Sequence, residues 1–328
     1  MQHNIKKKEE LSPISLLESD TLGGVGPDSV TDFDLYINIG GHMVLYAPKP
    51  YKWAKEEIER LRSDGHSELF YEKDCTPKVE IYRKLCQMPT VSDKLEPSQR
   101  IEGIIGITSE FSKTLFTHDF TLASLEKAKQ ISNQLLSCIQ EKPSCIKALE
   151  KVKDHHAYTF QHSGRVAAYT IAMALKMSMN SEHNLENIAL GCLLHDVGKS
   201  GVQKEILDKQ GPLKAKEWQM VKQHPEFGVK LVASANLPLV PIEIILHHHE
   251  REDGGGYPHN LKSSELLTEV KIAAFADIFD ALTSRRPYQK TRSRFEALDF
   301  IKFNLMDHIY KDAYKALVAL LSTREQAS

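Results

Sequence analysis

The chain has 328 residues, with 41% apolar and 26% charged side chains, a balance that suits about two globular domains and excludes a disordered or fibrous protein. With 42 basic residues against 44 acidic ones, the net charge of −2 excludes a protein built to coat a nucleic-acid polymer. No apolar run approaches the roughly 18–20 residues that cross a bilayer, so no membrane insertion is expected. The first residues, MQHNIKKKEELSPISLLESD, carry cations but no apolar stretch of the kind that marks a signal peptide. Five cysteines, with no CxxC pair, predict free thiols in a reducing, cytoplasmic compartment.

In chain order, residues 1–31 are polar and rich in Gly, Ser, Pro and Asp, and predict a flexible tail. Residues 32–75 predict a small α/β accessory module. Its DLYINIGGHMVLYA alternates around Gly40-Gly41 like a hairpin; Ile58 and Leu61 stand at helical spacing before Gly65, and SELFYEKD reads as a further strand. Residues 76–145 predict a helical connector broken at Pro89, Pro97 and Pro143, with Leu125, Ala128, Ile131, Leu135 and Ile139 on one helical face. From residue 146 to 328 nearly every segment is helical in pattern, including 158–177, 185–194, 214–224, 226–235, 241–249, 268–283, 294–308 and 312–321. The fold class predicted is α+β overall: an all-α C-terminal domain behind a small α/β module and a helical connector.

The chemistry concentrates in that helical part. Ten of the 15 histidines lie between His155 and His259. His195-Asp196 follows the apolar run ALGCLL, where Gly198 ends or bends the helix and lets both side chains turn to one point. His162 lies on the preceding long helix, His224 is placed at the end of a later one, and His248-His249 end the next. Asp277 lies within AAFADIFDAL, where positions 277, 280, 281 and 284 share a face. Buried carboxylates and imidazoles need partners, and a metal ion supplies one. Mixed His/Asp ligation suits Fe, Mn, Ni or Zn.

HDVGK, HHERED-GGGYP and FADIFDALTSRRPY, in that order over residues 150–322, resemble the HD-GYP family of bacterial phosphohydrolases. The resemblance implies an all-α fold, a dinuclear or trinuclear metal centre, and hydrolysis of cyclic di-GMP to linear pGpG, with GMP as a further product, through a metal-bridging hydroxide. It implies one ion among His162, His195, Asp196 and Asp277, and a second among Asp196, His224, His248 and His249, with Asp196 bridging. Trinuclear relatives carry a Glu four residues before the equivalent of His162; Tyr158 occupies that position here, so two ions are expected. Lys199 is implied to reach the substrate phosphate or the leaving oxygen, and Arg286 to bind phosphate. Tyr257 and Gly256 of the GYP loop are implied to meet the substrate, and the loop to receive signalling partners such as diguanylate cyclases. Gln289 stands where the family has a basic residue, with Lys290 as its substitute. His247 falls outside the motif and reads as a surface helix residue. A homodimer is a further expectation. Two other readings stay open: a receptor or scaffold that binds cyclic di-GMP without turnover, and an HD phosphohydrolase acting on another cyclic dinucleotide. Since every implied ligand lies at or beyond His162, residues 1–120 are expected to be dispensable for the chemistry.

Overall fold

The computed structural model describes residues 5–17, 23–150, 158–284 and 291–322. They fall into two units, one of residues 1–89 with 118–127, the other of residues 90–117 with 128–328. The first holds β1 (Ile5–Lys6), β2 (Leu11–Ser15), β3 (Val30–Thr31), β4 (Leu35–Ile39), β5 (His42–Ala47), β6 (Tyr51–Lys52) and β7 (Glu68–Glu72), with helices α1 (Lys55–Ser63) and α2 (Thr76–Cys86). Five strands make an antiparallel sheet in the order β1-β5-β4-β7-β2, and β3 pairs with β6. The β4–β5 hairpin turns at Gly40 and Gly41, both at positive φ (58° and 89°), as the twist of a tight hairpin requires. Leu11, Tyr36 and Met43 form its buried cluster, with Leu45 and Phe70 packed on them.

Residues 1–31, expected to be a flexible tail, are folded over their described part. β2 runs antiparallel to β7 from Leu11 opposite Glu72 to Ser15 opposite Glu68, and Leu11, Ile14, Leu16 and Val25 are buried. The edge position of β2 admits Pro13, whose missing N–H would break an interior ladder. The four apolar side chains look too sparse for a core until β7 is laid beside them. The expected connector is also divided. α2 belongs with the sheet: its Tyr82 ring packs edge-on against Phe33, and the hydroxyl donates to the Gly24 carbonyl at 3.0 Å.

The second unit is helical. It contains α3 (Pro97–Thr117) and most of α4 (Leu122–Glu141), then α5 (Tyr158–Lys176), α6 (Glu182–Leu194), α7 (Lys204–Leu207), α8 (Ala215–Val221), α9 (His224–Val232), α10 (Leu239–His247), α11 (Thr268–Thr283), α12 (Arg294–Asn304) and α13 (Lys311–Ser322). α5 is the central rod, packed by α3, α6, α11 and α13. Ile105 and Thr108 of α3 occupy the space that any side chain on Gly164 of α5 would need. The molecule is thus α+β, with its sheet confined to the first unit. Among the described residues no helix is long and apolar enough to cross a membrane.

Candidate metal centre

α6 is buried along Leu185 and from Asn187 to Leu194, and it stops where a short 3-10 turn, Val197–Gly201, begins. His195 is its C-cap and Asp196 the residue before the turn, so both side chains leave the end of one buried helix. The turn lies directly on the start of α9: a Cβ on Gly198 would collide with the His224 carbonyl oxygen and the Gly228 backbone. His224 opens α9 rather than ending the helix before it. α8 stops at Val221, and Pro225 sits in the first turn of α9, the one helical place where its missing N–H costs nothing. His248 is the C-cap of α10, His249 follows it, and His162 and Asp277 project from α5 and α11.

These side chains gather into two donor groups, Asp196/His224/His248/His249 and His162/His195/Asp277. Asp196 lies between them. Its Oδ1 is 3.3 Å from His224 Nε2 and 3.8 Å from His248 Nε2; its Oδ2 is 3.5 Å from His195 Nε2 and 3.9 Å from His162 Nε2. Asp277 approaches His162 Nε2 at 2.9 Å and His249 Nδ1 at 3.5 Å. Three of the rings are aimed by the backbone: His195 Nδ1 meets the Cys192 carbonyl at 2.6 Å, His224 Nδ1 the Val221 carbonyl at 2.7 Å, and His248 Nδ1 the Ile245 carbonyl at 3.0 Å. Each carbonyl takes an N–H, which leaves the Nε2 lone pair facing the centre.

Burial and neighbouring charge set the protonation states. Burial first, then adjacent imidazoles, push His248 well below the usual histidine range; burial also brings His249 down to about 3 and lowers His195. Burial thus favours the uncharged form of these three imidazoles, the form that ligates a metal. Burial disfavours the Asp196 carboxylate, but Lys199, His195 and His224 outweigh it and hold the group well below 3.8; His162 does the same for Asp277. Burial opposes charge on His162, yet the Asp277 and Asp280 carboxylates raise it to about 9. His195 Nε2 and Asp196 Oδ1 are buried without a hydrogen bond, an expensive arrangement in a dry interior unless a cation takes both. The donor set therefore fits divalent transition metals.

The surrounding residues have separable parts. Lys199 Nζ lies 2.6 Å from Asp196 Oδ2. The Tyr257 ring stacks on His249, with centroids 4.7 Å apart. Gly256 is buried against the backbone of Glu250 and Arg251, where a Cβ would collide, so it serves the loop's path. Glu250, the acid of the HHE run, faces the loop and not the donor groups: its two oxygens accept the His259 and Leu261 backbone N–H groups at 2.7 and 3.1 Å. His247, expected on the surface, is buried between Glu243 and His259, both 2.9 Å away. The loop after Gly256 folds back over the end of α10 and covers it. Arg286, Gln289 and Lys290, and the side chain of Tyr158, lie outside the described residues.

Two residues of the assembly were not foreseen. Asp280 is buried beneath His162, with Oδ2 2.7 Å from Nδ1, and it is gripped by Arg165, whose Nε and Nη2 donate at 2.6 and 3.1 Å. The signal is present: Arg165 stands three residues after His162, and Asp280 three after Asp277, so each shares its neighbour's helical face.

The chain is 32% identical over 172 residues to the cyclic di-GMP phosphodiesterase PA4108 of Pseudomonas aeruginosa, covering 52% of this chain and 41% of that protein. It is 40% identical over 141 residues to a cyclic di-GMP phosphodiesterase of Thermotoga maritima, covering 42% and 38%. Against the 3′3′-cGAMP-specific phosphodiesterase 3 of Vibrio cholerae it is 32% identical over 193 residues, covering 58% and 40%. The chain thus spans about two fifths of the length of these relatives. In fold it is similar to Bd1817, an HDG"Y"P protein from Bdellovibrio bacteriovorus, with a TM-score of 0.59 at 19% identity over 95% of this chain and all of that one. The profile of the HD domain matches residues 145–311, half of the chain and every donor of both groups, and on that match the chain belongs to the HD domain family.

Proposed function

We propose that this chain is a metal-dependent phosphohydrolase that cleaves the phosphodiester bonds of cyclic di-GMP to linear pGpG and onward to GMP. The observation that carries the reading is the meeting of two buried His/Asp donor groups at one carboxylate, Asp196. Two ions, manganese or iron before nickel or zinc, suit that set. When bound, such ions neutralise the diester's charge and make water a competent nucleophile near neutral pH.

The chain's own residues do the rest. Asp196 holds the two donor groups in one frame. As the water oxygen bonds to phosphorus it releases a proton to solvent, the P–O3′ bond breaks, and the ribose oxygen leaves needing a proton. Lys199, whose side chain is 22% exposed beside Asp196, donates to that oxygen. Arg286 and Lys290 are proposed to grip phosphate, where a guanidinium fork matches two oxygens. The names of two relatives support cyclic di-GMP as the substrate, and the Vibrio cholerae relative makes 3′3′-cGAMP the second dinucleotide to try. Incubation of manganese- or iron(II)-loaded protein with each dinucleotide, followed by chromatography, tests the assignment. Linear product that disappears on chelation and returns with metal is expected. Tight binding with no product would favour a receptor, and full activity after thorough chelation would overturn the metal-dependent reading.

A further inference from the structure

Trp218 stands on the short helix α8 with 43% of its surface exposed, while Trp53, the other tryptophan of the chain, is fully buried. The core of α8 does not need the indole, since Val221 is that helix's buried residue. Trp218 instead meets Tyr257 edge-on, with centroids 6.2 Å apart, and Tyr257 lies nearly flat on His249, at an interplanar angle of 29°. The Lys222 ammonium sits over both rings, 5.3 Å from the Tyr257 centroid and 5.9 Å from that of Trp218. Among the described residues it has no carboxylate partner. One step away from the donor groups there is therefore an aromatic corner, its indole exposed and its Tyr257 ring and Lys222 half-buried, with the cation at its apex.

We propose that Trp218, Tyr257 and Lys222 form the seat for a guanine base of the cyclic dinucleotide, with Lys222 choosing guanine over adenine. This rests on the phosphodiesterase reading for its substrate class. A flat purine stacks on the indole face, an interaction worth roughly 1–3 kcal/mol per base by alanine substitution. An ammonium donor matches the O6 and N7 acceptors that guanine presents side by side. Adenine offers N7 beside an amino donor, which the cation repels.

The test uses the full-length, metal-loaded protein. Cyclic di-GMP should quench the tryptophan emission before turnover, because Trp53 is shielded and only Trp218 can meet a base. Trp218→Phe should abolish the quench and raise KM less than Trp218→Ala does, since a phenyl ring still stacks. Trp218→Ala should raise KM by about 5- to 150-fold, the stacking energy converted at tenfold per 1.4 kcal/mol, with kcat and metal content unchanged. Lys222→Met should lower the preference for cyclic di-GMP over cyclic di-AMP at least about fivefold. Turnover with no quench, and with an unchanged KM in Trp218→Ala, would overturn the seat alone. Quenching without turnover would support the seat and count against the phosphodiesterase reading. Absence of both would overturn the two together.

Discussion

Asp196 presents one oxygen to each donor group, so no neighbour can replace it. Asp196→Asn keeps the shape but puts an amide, a poor metal ligand, where both groups meet. Metal content per chain should fall, and hydrolysis of cyclic di-GMP should drop more than ~100-fold, since removing an outer partner alone costs 10–100-fold; elemental analysis and a product assay check both. Wild-type metal content in that variant would sink the shared-ligand assignment. Asp280 acts one layer out. Asp280→Asn leaves one oxygen for His162 Nδ1 and Arg165 to share, turns the other acceptor into a donor facing a donor, and takes the counter-charge from Arg165, whose side chain is buried with it. Breaking a buried pair costs about 3–5 kcal/mol, and the loosened imidazole should bind metal roughly 10–100-fold more weakly. Denaturant titration and metal competition read the two effects separately, and a variant that loses stability but keeps affinity would reduce Asp280 to a structural role. His195-Asp196 and His248-His249 were legible in the sequence as pairs at helix ends, and His162, His224 and Asp277 entered the proposed set through the family resemblance. The pairing of Asp280 with Arg165 was not legible, although position 280 shares the face of Asp277, because the two partners lie more than 110 residues apart and meet only when α5 and α11 pack.

Between elements, the loop from Gly254 to Leu261 is held by Glu250. Its carboxylate is buried and accepts from two backbone N–H groups, at His259 and Leu261. Glu250→Gln changes one acceptor into a donor facing a donor, a cost of about 1–3 kcal/mol for an unsatisfied buried group. The amides of His259 and Leu261 should exchange faster. KM should rise as Tyr257 loses its place on His249, while metal content stays at the wild-type level, because Glu250 faces away from the donor groups. Unchanged exchange at both amides would show that the loop is held by other contacts. The helix periodicities were readable, and α11 occupies the predicted 268–283. The boundary at His224 was misplaced because Lys222 and Gln223 carry no stop signal, whereas Pro225 marks the first turn of the next helix. The strands of residues 5–16 escaped detection because segments of two to five residues carry too little alternation to register alone.

At the scale of the whole molecule, the question is which part of the chain the chemistry needs. All proposed ligands lie at or beyond His162, which suggested that residues 1–120 could be discarded. The packing sets a different limit. α3 belongs to the unit that carries the donor groups and lies along α5, the helix bearing His162. Its Ile101, Ile104, Ile105, Phe111 and Leu115 are buried, and at roughly 1.5–3 kcal/mol each their loss rivals the entire ~5–15 kcal/mol stability of a domain. The close fit of α3 on Gly164 adds that no other element can slide into the gap without rebuilding the face of α5. A chain starting at Thr121 should therefore fail to fold or melt without cooperativity, and should hold no metal. A chain starting at Thr90 keeps α3 and the whole helical unit. It should melt cooperatively, bind metal with the stoichiometry of the full protein, and hydrolyse cyclic di-GMP within a few-fold of its rate, since among the described residues the sheet unit contributes no donor. Circular dichroism melting and metal analysis on the two fragments decide the matter. A cooperative, metal-loaded Thr121 fragment would show that α3 is an accessory. A folded Thr90 fragment without metal would show that the sheet unit completes the centre.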